Sequence, residues 1–149
     1  MKRIVFVCTG NTCRSPVAEI MLKTMLKQEQ VKGIVVRSAG VKTTDGKKMS
    51  ENSTKALKQL GYLPYGFKSR QLTDEIIEKA DMLICMTENH KRALGSIKNA
   101  YSISELTGVN EIGDPYGCDL DTYLKTAKEI ENACKIIVSE IKKAKGENK

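Results

Sequence analysis

A small doubly wound α/β fold, about four parallel strands with helices on both faces, is the class this sequence predicts. Three observations carry the prediction. Short, wholly apolar, β-rich runs such as Ile4-Val5-Phe6-Val7 alternate with segments of helical periodicity, as strands buried on both faces do. The first run, an amphipathic segment and a second run from Ile34 follow one another at the spacing of a parallel crossover unit. No internal repeat, low-complexity segment or Pro/Ser-rich linker interrupts the 149 residues, so residues 1–149 are expected to form one domain.

The elements follow in order. Ile4 to Val7 is the first strand and ends at Cys8. After the polar stretch Thr9 to Arg14, Ser15-Pro16 reads as an N-cap and first helical residue, with Glu19 in the first turn. Val17, Ile20, Met21, Thr24 and Met25 share one face, and the helix should end near Gln28 to Gln30. Ile34 to Arg37 is the second strand. Ser50 caps a helix running to Leu60 and closed by Gly61, and Thr73 caps another over Asp74 to Lys79. Met82 to Met86 is a third buried strand, Thr87 caps a short helix closed by Gly95, and Ala100 to Ile103 is a fourth strand. Thr107 to Asp119 is a glycine-bearing loop. Tyr123, Ala127, Ile130, Cys134, Ile137, Ile141 and Ala144, alternately four and three apart, form the core stripe of a long final helix. Its end, from Ser139 onward, is lysine-rich and expected to fray.

Composition excludes several classes. With 40% hydrophobic and 29% charged residues the chain is neither disordered nor membrane-spanning, and its apolar runs are far shorter than the ~20 residues a bilayer requires. Met1-Lys2-Arg3 leads directly into the first strand without an apolar leader, so a cytoplasmic location is expected. The net charge of +7 suits phosphorylated partners, but two Phe, no Trp and scattered Tyr provide no stacking platform for nucleic acid. Five cysteines without a C-x2-C pair fit neither a disulfide framework nor a zinc site, so neither metal nor cofactor is expected. With one histidine, a catalytic Cys-His or Ser-His pair has a single candidate base. His90 itself reads as a surface or packing residue, and Cys85 and Cys134 as core.

The chemistry concentrates in the loop after the first strand. Thr9, Gly10, Asn11, Thr12, Cys13 and Arg14 stand between a strand end and a helix N-terminus, where backbone N–H groups converge on a tetrahedral oxyanion. Gly10 permits a positive φ, and Asn11 tolerates the left-handed region. The loop has one glycine and no lysine, unlike the nucleotide-binding cradles. It opens instead on a thiol, Cys8, with Arg14 six residues later and Ser15 beside it. The amides, the helix end and the guanidinium all favour the nucleophilic thiolate, and Arg14 can hold two oxygens of a transferring phosphoryl group. A leaving group then needs a proton. Asp114, in Gly113-Asp114-Pro115-Tyr116-Gly117, is the candidate acid, with Asp119 and Asp121 as rivals on the same loop.

These residues resemble the low-molecular-weight protein tyrosine phosphatases, and within them most nearly the bacterial protein-arginine phosphatases. The resemblance lies in Val7-Cys8-Thr9-Gly10-Asn11-Thr12-Cys13-Arg14-Ser15-Pro16-Val17-Ala18-Glu19, Arg37-Ser38-Ala39-Gly40, Met86-Thr87 and Asp114-Pro115-Tyr116, and spans essentially the whole chain. It implies Cys8 as nucleophile, Arg14 as phosphate clamp, Asp114 as general acid then base, and Ser15 and Asn11 as organisers of the loop. It implies a metal-free, two-step hydrolysis of phosphorylated proteins; separately, composition leads us to expect neither nucleic acid nor membrane as partner, and a monomer is favoured with the oligomeric state left open. The resemblance also implies a reversible Cys8–Cys13 disulfide under oxidant.

Thr12 bears on the substrate. Members resembling arginine phosphatases carry threonine there, whereas tyrosine-specific members carry a larger aliphatic residue and often two aromatics after D-P. Here Tyr116 is followed by Gly117, leaving one aromatic wall beside an acid, which suits a flat guanidinium. The resemblance thus points to phosphoarginine as the expected substrate, with phosphotyrosine the alternative. Phe67 stands where several tyrosine-specific relatives have histidine. A thiol-dependent oxyanion reductase of the arsenate type needs two further cysteines after the third strand, and Thr87 to Ser96 has none. A phosphate-binding module without catalysis leaves the acid loop without a role.

Overall fold

The computed structural model describes residues 2–147. Its elements are β1 (Lys2–Cys8), α1 (Ser15–Gln28), β2 (Ile34–Gly40), α2 (Glu51–Gln59), α3 (Asp74–Lys79), β3 (Met82–Cys85), α4 (Glu88–Leu94), β4 (Ala100–Ser102), α5 (Ile103–Thr107) and α6 (Leu120–Glu147). The four strands form one parallel sheet in the order β2-β1-β3-β4, as the alternation of apolar runs and amphipathic segments predicts. No described helix is long and apolar enough to cross a membrane.

β1 is buried on both faces because its side chains alternate between two cores. Ile4, Phe6 and Cys8 join α1, α2 and α6 in the larger one, whereas Val5 and Val7 pack with Leu83, Ala100 and residues of α3 and α4. Phe6, entirely buried, contributes about 1.5–3 kcal/mol by its removal from water. The chain leaves β1 toward β2 and later returns to the opposite side of β1 as β3. That reversal opens a crevice at the carboxyl end of β1, the general ligand position of such sheets.

Several boundaries depart from expectation for identifiable reasons. Ser15 is not the cap of α1. Arg14 occupies the cap position and no side chain caps the helix, because the Ser15 hydroxyl is engaged by Cys8 and Asn11. Glu19 lies beyond the first turn and is held by Ser38 and Lys23. Ile103 does not continue β4; Ser102 and Glu105 form a reciprocal capping box that opens α5, a helix to which the sequence pattern assigns no element of its own. β3 stops at Cys85. β2 runs on to Gly40, pairing Ser38, Ala39 and Gly40 with Phe6, Val7 and Cys8.

The remaining caps behave as predicted. The Ser50, Thr73 and Thr87 hydroxyls accept the N–H of Ser53, Ile76 and His90. α6 buries Tyr123 through Ile137, but Ile141 is half-buried and Ala144 exposed. Its described end is helical through Glu147. Lys142 pairs with Glu29 at 3.2 Å and Lys145 donates to the Lys32 carbonyl at 2.8 Å, so two of the tail lysines tie α6 to the chain leaving α1. Asn148 and Lys149 lie outside the described residues.

Candidate active site

The loop from Cys8 to Arg14 turns its carbonyls outward. Those of Cys8 and Thr9 accept the N–H of Val41 and Lys42, that of Thr12 accepts Ser50 N–H, and that of Cys13 accepts the Ser53 hydroxyl. In a planar trans peptide the following N–H points the opposite way, so the amides of Thr9, Gly10, Cys13 and Arg14 face inward. Among the described residues none of the N–H groups from Thr9 to Arg14 donates to a protein acceptor. A ring of unspent donors at an uncapped helix start attracts an oxyanion.

The positive φ that shapes the curl falls on Asn11, at 55°, and not on Gly10. Gly10 has room for a side chain: a Cβ there would meet nothing nearer than Thr12 Oγ1 at 3.7 Å. The glycine that the loop requires is Gly40 on the neighbouring strand. A Cβ there would lie 2.6 Å from the Thr9 carbonyl oxygen and 3.0 Å from Asn11 N.

Asn11 earns its place through an ordered chain of hydrogen bonds. Its Oδ1 accepts the Arg70 N–H at 2.9 Å, which sets the amide orientation and directs both Nδ2 hydrogens to hydroxyls: Ser15 Oγ at 2.7 Å and Ser38 Oγ at 3.0 Å. Ser38 donates in turn to Glu19 Oε1 at 2.7 Å, and Glu19 is paired with Lys23 at 2.7 Å. Ser15, already accepting from Asn11, has its own hydrogen free for Cys8 Sγ at 2.8 Å. The buried sulfur thus faces a hydroxyl whose orientation is imposed from behind.

Arg14, 5% exposed, donates through Nη1 to the Ile112 carbonyl at 3.0 Å. Its Nη2 lies 3.5 Å from Thr9 Oγ1 and 3.7 Å from Asp114 Oδ2. Its Nε is buried with no partner among the described residues. A buried guanidinium donor left unsatisfied is costly, and a bound oxyanion would satisfy it. Asp114 is 53% exposed at the side chain, and its Oδ1 accepts the Tyr116 N–H at 3.0 Å. Its rivals are occupied elsewhere: Asp119 accepts from the Thr122 hydroxyl at 2.8 Å and its N–H at 3.0 Å, bonds that hold its carboxyl below the usual range, and Asp121 sits in the first turn of α6.

Cys8, Thr9, Gly10, Thr12, Cys13, Arg14, Asp114 and Tyr116, all named from sequence, line one cleft of about 320 Å³. Asn11 and Ser15 are buried behind it. Cys13 Sγ is 3.5 Å from the Tyr123 hydroxyl of α6; burial and that contact push the Tyr123 phenol up to about 12. Cys85 and Cys134 are core residues, and burial pushes the Cys85 thiol up to about 12.

Four contributors escape sequence reading. Glu19 supports the hydroxyl chain, Gly40 the close approach, and Lys47 borders the cleft. His90, expected at the surface or in packing, is packed in the interior at 6% exposed, and its ring joins Thr9 Oγ1 to Thr87 Oγ1 at 2.9 and 3.0 Å. Its one local signal is its position three residues after the cap Thr87.

A cysteine under an anion cradle at the carboxyl end of β1, with an arginine and an acid converging on it, defines a thiol-based phosphatase site. The chain belongs to the low molecular weight phosphotyrosine protein phosphatase family, whose sequence profile matches residues 3–147. Among its relatives is a protein-arginine-phosphatase of Bacillus subtilis, 35% identical over 147 residues, covering 94% of this chain and 97% of that protein. A low molecular weight protein-tyrosine-phosphatase, PtpB of Staphylococcus haemolyticus, is 35% identical over 133 residues, covering 86% and 91%. Among solved structures, a cysteine-to-serine mutant of the YwlE arginine phosphatase with a phosphorylated active-site serine superposes with a TM-score of 0.89. It is 32% identical and covers 95% of this chain and 96% of that one. The YwlE arginine phosphatase from Geobacillus stearothermophilus superposes at 0.88 with 30% identity, covering 100% and 98%.

Proposed function

We propose that this protein hydrolyses phosphoarginine on proteins through a phosphocysteine formed at Cys8. The observation that carries the chemistry is the ring of unspent N–H donors from Thr9 to Arg14, together with the unpartnered Arg14 Nε, around the Cys8 sulfur. In the first step Cys8 Sγ attacks phosphorus while the bond to the leaving nitrogen breaks, and Asp114 gives that nitrogen its proton. The cradle and Arg14 hold the three non-bridging oxygens as charge builds on them. In the second step Asp114 takes a proton from water, the water oxygen attacks phosphorus, and the thiolate leaves, met again by the Ser15 hydroxyl. Phosphate is released and both groups return to their starting forms.

The test is turnover of a chromogenic aryl phosphate at mildly acidic pH. Cys8→Ser should abolish it, and Asp114→Ala should slow it about 10²- to 10⁴-fold. Unchanged turnover by Cys8→Ser would refute the mechanism.

Phosphoarginine is supported by the protein-arginine-phosphatase relatives and by the mouth of the cleft. Thr12 is small and half-buried there, and Tyr116, 80% exposed, stands beside the Asp114 carboxylate. A planar cation can stack on the ring and meet the acid. The phosphotyrosine reading is favoured by the PtpB relative, also 35% identical but over a shorter stretch. Phosphoarginine and phosphotyrosine peptides compared on the wild type and Thr12→Ile decide between them. We expect the wild type to prefer phosphoarginine and the larger side chain to lower that ratio. On this reading the protein works as a cytoplasmic monomer, its described cysteines all free, with phosphorylated proteins as partners and neither nucleic acid nor membrane in its cycle.

A further inference from the structure

His90 has no part in the two-step chemistry, yet it is buried directly behind the cradle with both ring nitrogens engaged. Thr87 Oγ1 accepts the His90 backbone N–H at 3.2 Å as the cap of α4 and lies 3.0 Å from His90 Nδ1. His90 Nε2 lies 2.9 Å from Thr9 Oγ1. Thr9 follows the nucleophile, is exposed to the cleft, and has Arg14 Nη2 3.5 Å from its hydroxyl.

Two tautomers fit these distances, and they differ in where the hydrogens end. With the proton on Nδ1, Thr87 Oγ1 receives two N–H groups and its own hydrogen loses the ring as acceptor. The Thr9 hydrogen is then consumed by Nε2, and the cleft loses a donor. With the proton on Nε2, Thr87 donates to Nδ1, and Thr9 Oγ1 accepts from His90 and from Arg14. The Thr9 hydrogen is left over, directed at the cleft. Only the second arrangement gives every hydrogen of the chain an acceptor once an oxyanion is bound.

We propose that Thr87, His90 and Thr9 form a directed hydrogen-bond chain in which a neutral, Nε2-protonated His90 aims the Thr9 hydroxyl at the phosphoryl oxygens. His90 is thus a positioning residue. This rests on the phosphatase reading of the site. It mirrors the Glu19, Ser38, Asn11, Ser15 chain that aims a second hydroxyl at Cys8 from the other side. The surroundings keep the ring neutral: burial first, then the Arg14 guanidinium, push His90 down to about 4, against the weaker opposite pull of Asp114 and Glu111.

The chain has one histidine, so its ring is read without assignment ambiguity by two-bond ¹H–¹⁵N correlation on the labelled wild type. The expected result is a protonated Nε2 and a bare Nδ1 from pH 8 to pH 6, with the ring charging only below pH 5. An Nδ1-protonated tautomer, or an imidazolium at pH 6, overturns the proposal. In kinetics, His90→Phe should lower kcat about tenfold with little change in KM. His90→Gln, which keeps a donor near the Nε2 position, should recover most of the loss. Thr9→Val should show the same deficit, and His90→Phe added to it should cost nothing further; independent, multiplying losses would overturn the coupling. Should His90→Phe fail to fold, the comparison of Thr9→Val with Thr9→Ser and the wild-type tautomer decide. A wild type without Cys8-dependent turnover would refute the phosphatase reading instead, leaving the tautomer to be judged by its spectrum.

Discussion

Asn11 joins two demands in one side chain. It supplies the left-handed φ of 55° that most residues resist, and its amide accepts from the Arg70 N–H while donating to Ser15 and Ser38. Glycine would meet the first demand and fail the second; glutamine would carry the amide one methylene too far. The hydroxyl at Ser15 is the last link before the sulfur. Ser15→Ala leaves the Asn11 Nδ2 donor with one acceptor fewer and, on the proposed mechanism, removes the O–H that meets the departing thiolate. We expect about a tenfold loss in kcat, with the second step, release of phosphate from Cys8, slowed more than the first. A stopped-flow burst of aryl leaving group, larger in Ser15→Ala than in the wild type, is the measurement.

At the scale of elements, the loop is built by its neighbours as much as by its own residues. β2 lends the N–H groups just beyond its end, α2 lends Ser50 and Ser53 at its start, and Gly40 allows β2 to come close. Gly40 does not have a positive φ, so its requirement is for space. Gly40→Ala sets a methyl against the Thr9 carbonyl, and the backbone must give. We expect a loss of about 1–3 kcal/mol, as for other insertions into close packing, measured by urea unfolding. Gly10→Ala, which meets nothing closer than 3.7 Å, is expected to be much milder. The loop before α6 shows the same division of labour: Asp119 is spent on starting the helix, which leaves Asp114 for the cleft.

Over the whole molecule, the buried histidine ties stability to pH. Its ring charges at about 4 in the folded protein against an ordinary 6.5. Between those values the unfolded chain binds a proton that the native state does not, so this group lowers stability as pH falls from about 6.5 to about 4 and adds no further slope below. Denaturant midpoints across that window should fall more steeply for the wild type than for His90→Gln, which cannot titrate; parallel curves would count against a neutral buried ring.

What the amino-acid sequence determined by itself was everything set by local chemistry and period. The strands, most caps and the core stripe of α6 follow from apolar spacing and from Ser and Thr at helix starts. The residues proposed as nucleophile, clamp and acid, Cys8, Arg14 and Asp114, stand out because they sit in two short segments of distinctive composition. Tertiary structure decided what depends on atoms far apart in the chain. Ser15 reads as a cap until Cys8 and Asn11 claim its hydroxyl. Gly10 reads as the glycine of the curl until the structure places the positive φ on Asn11 and the approach of β2 sets a separate requirement for space on Gly40. His90, some eighty positions from Thr9, reads as an ordinary helix residue until the parallel pairing of β1 with β3 brings their following loops together. Hydrogen bonds are satisfied in space, and a one-dimensional pattern does not record which distant partner will satisfy them.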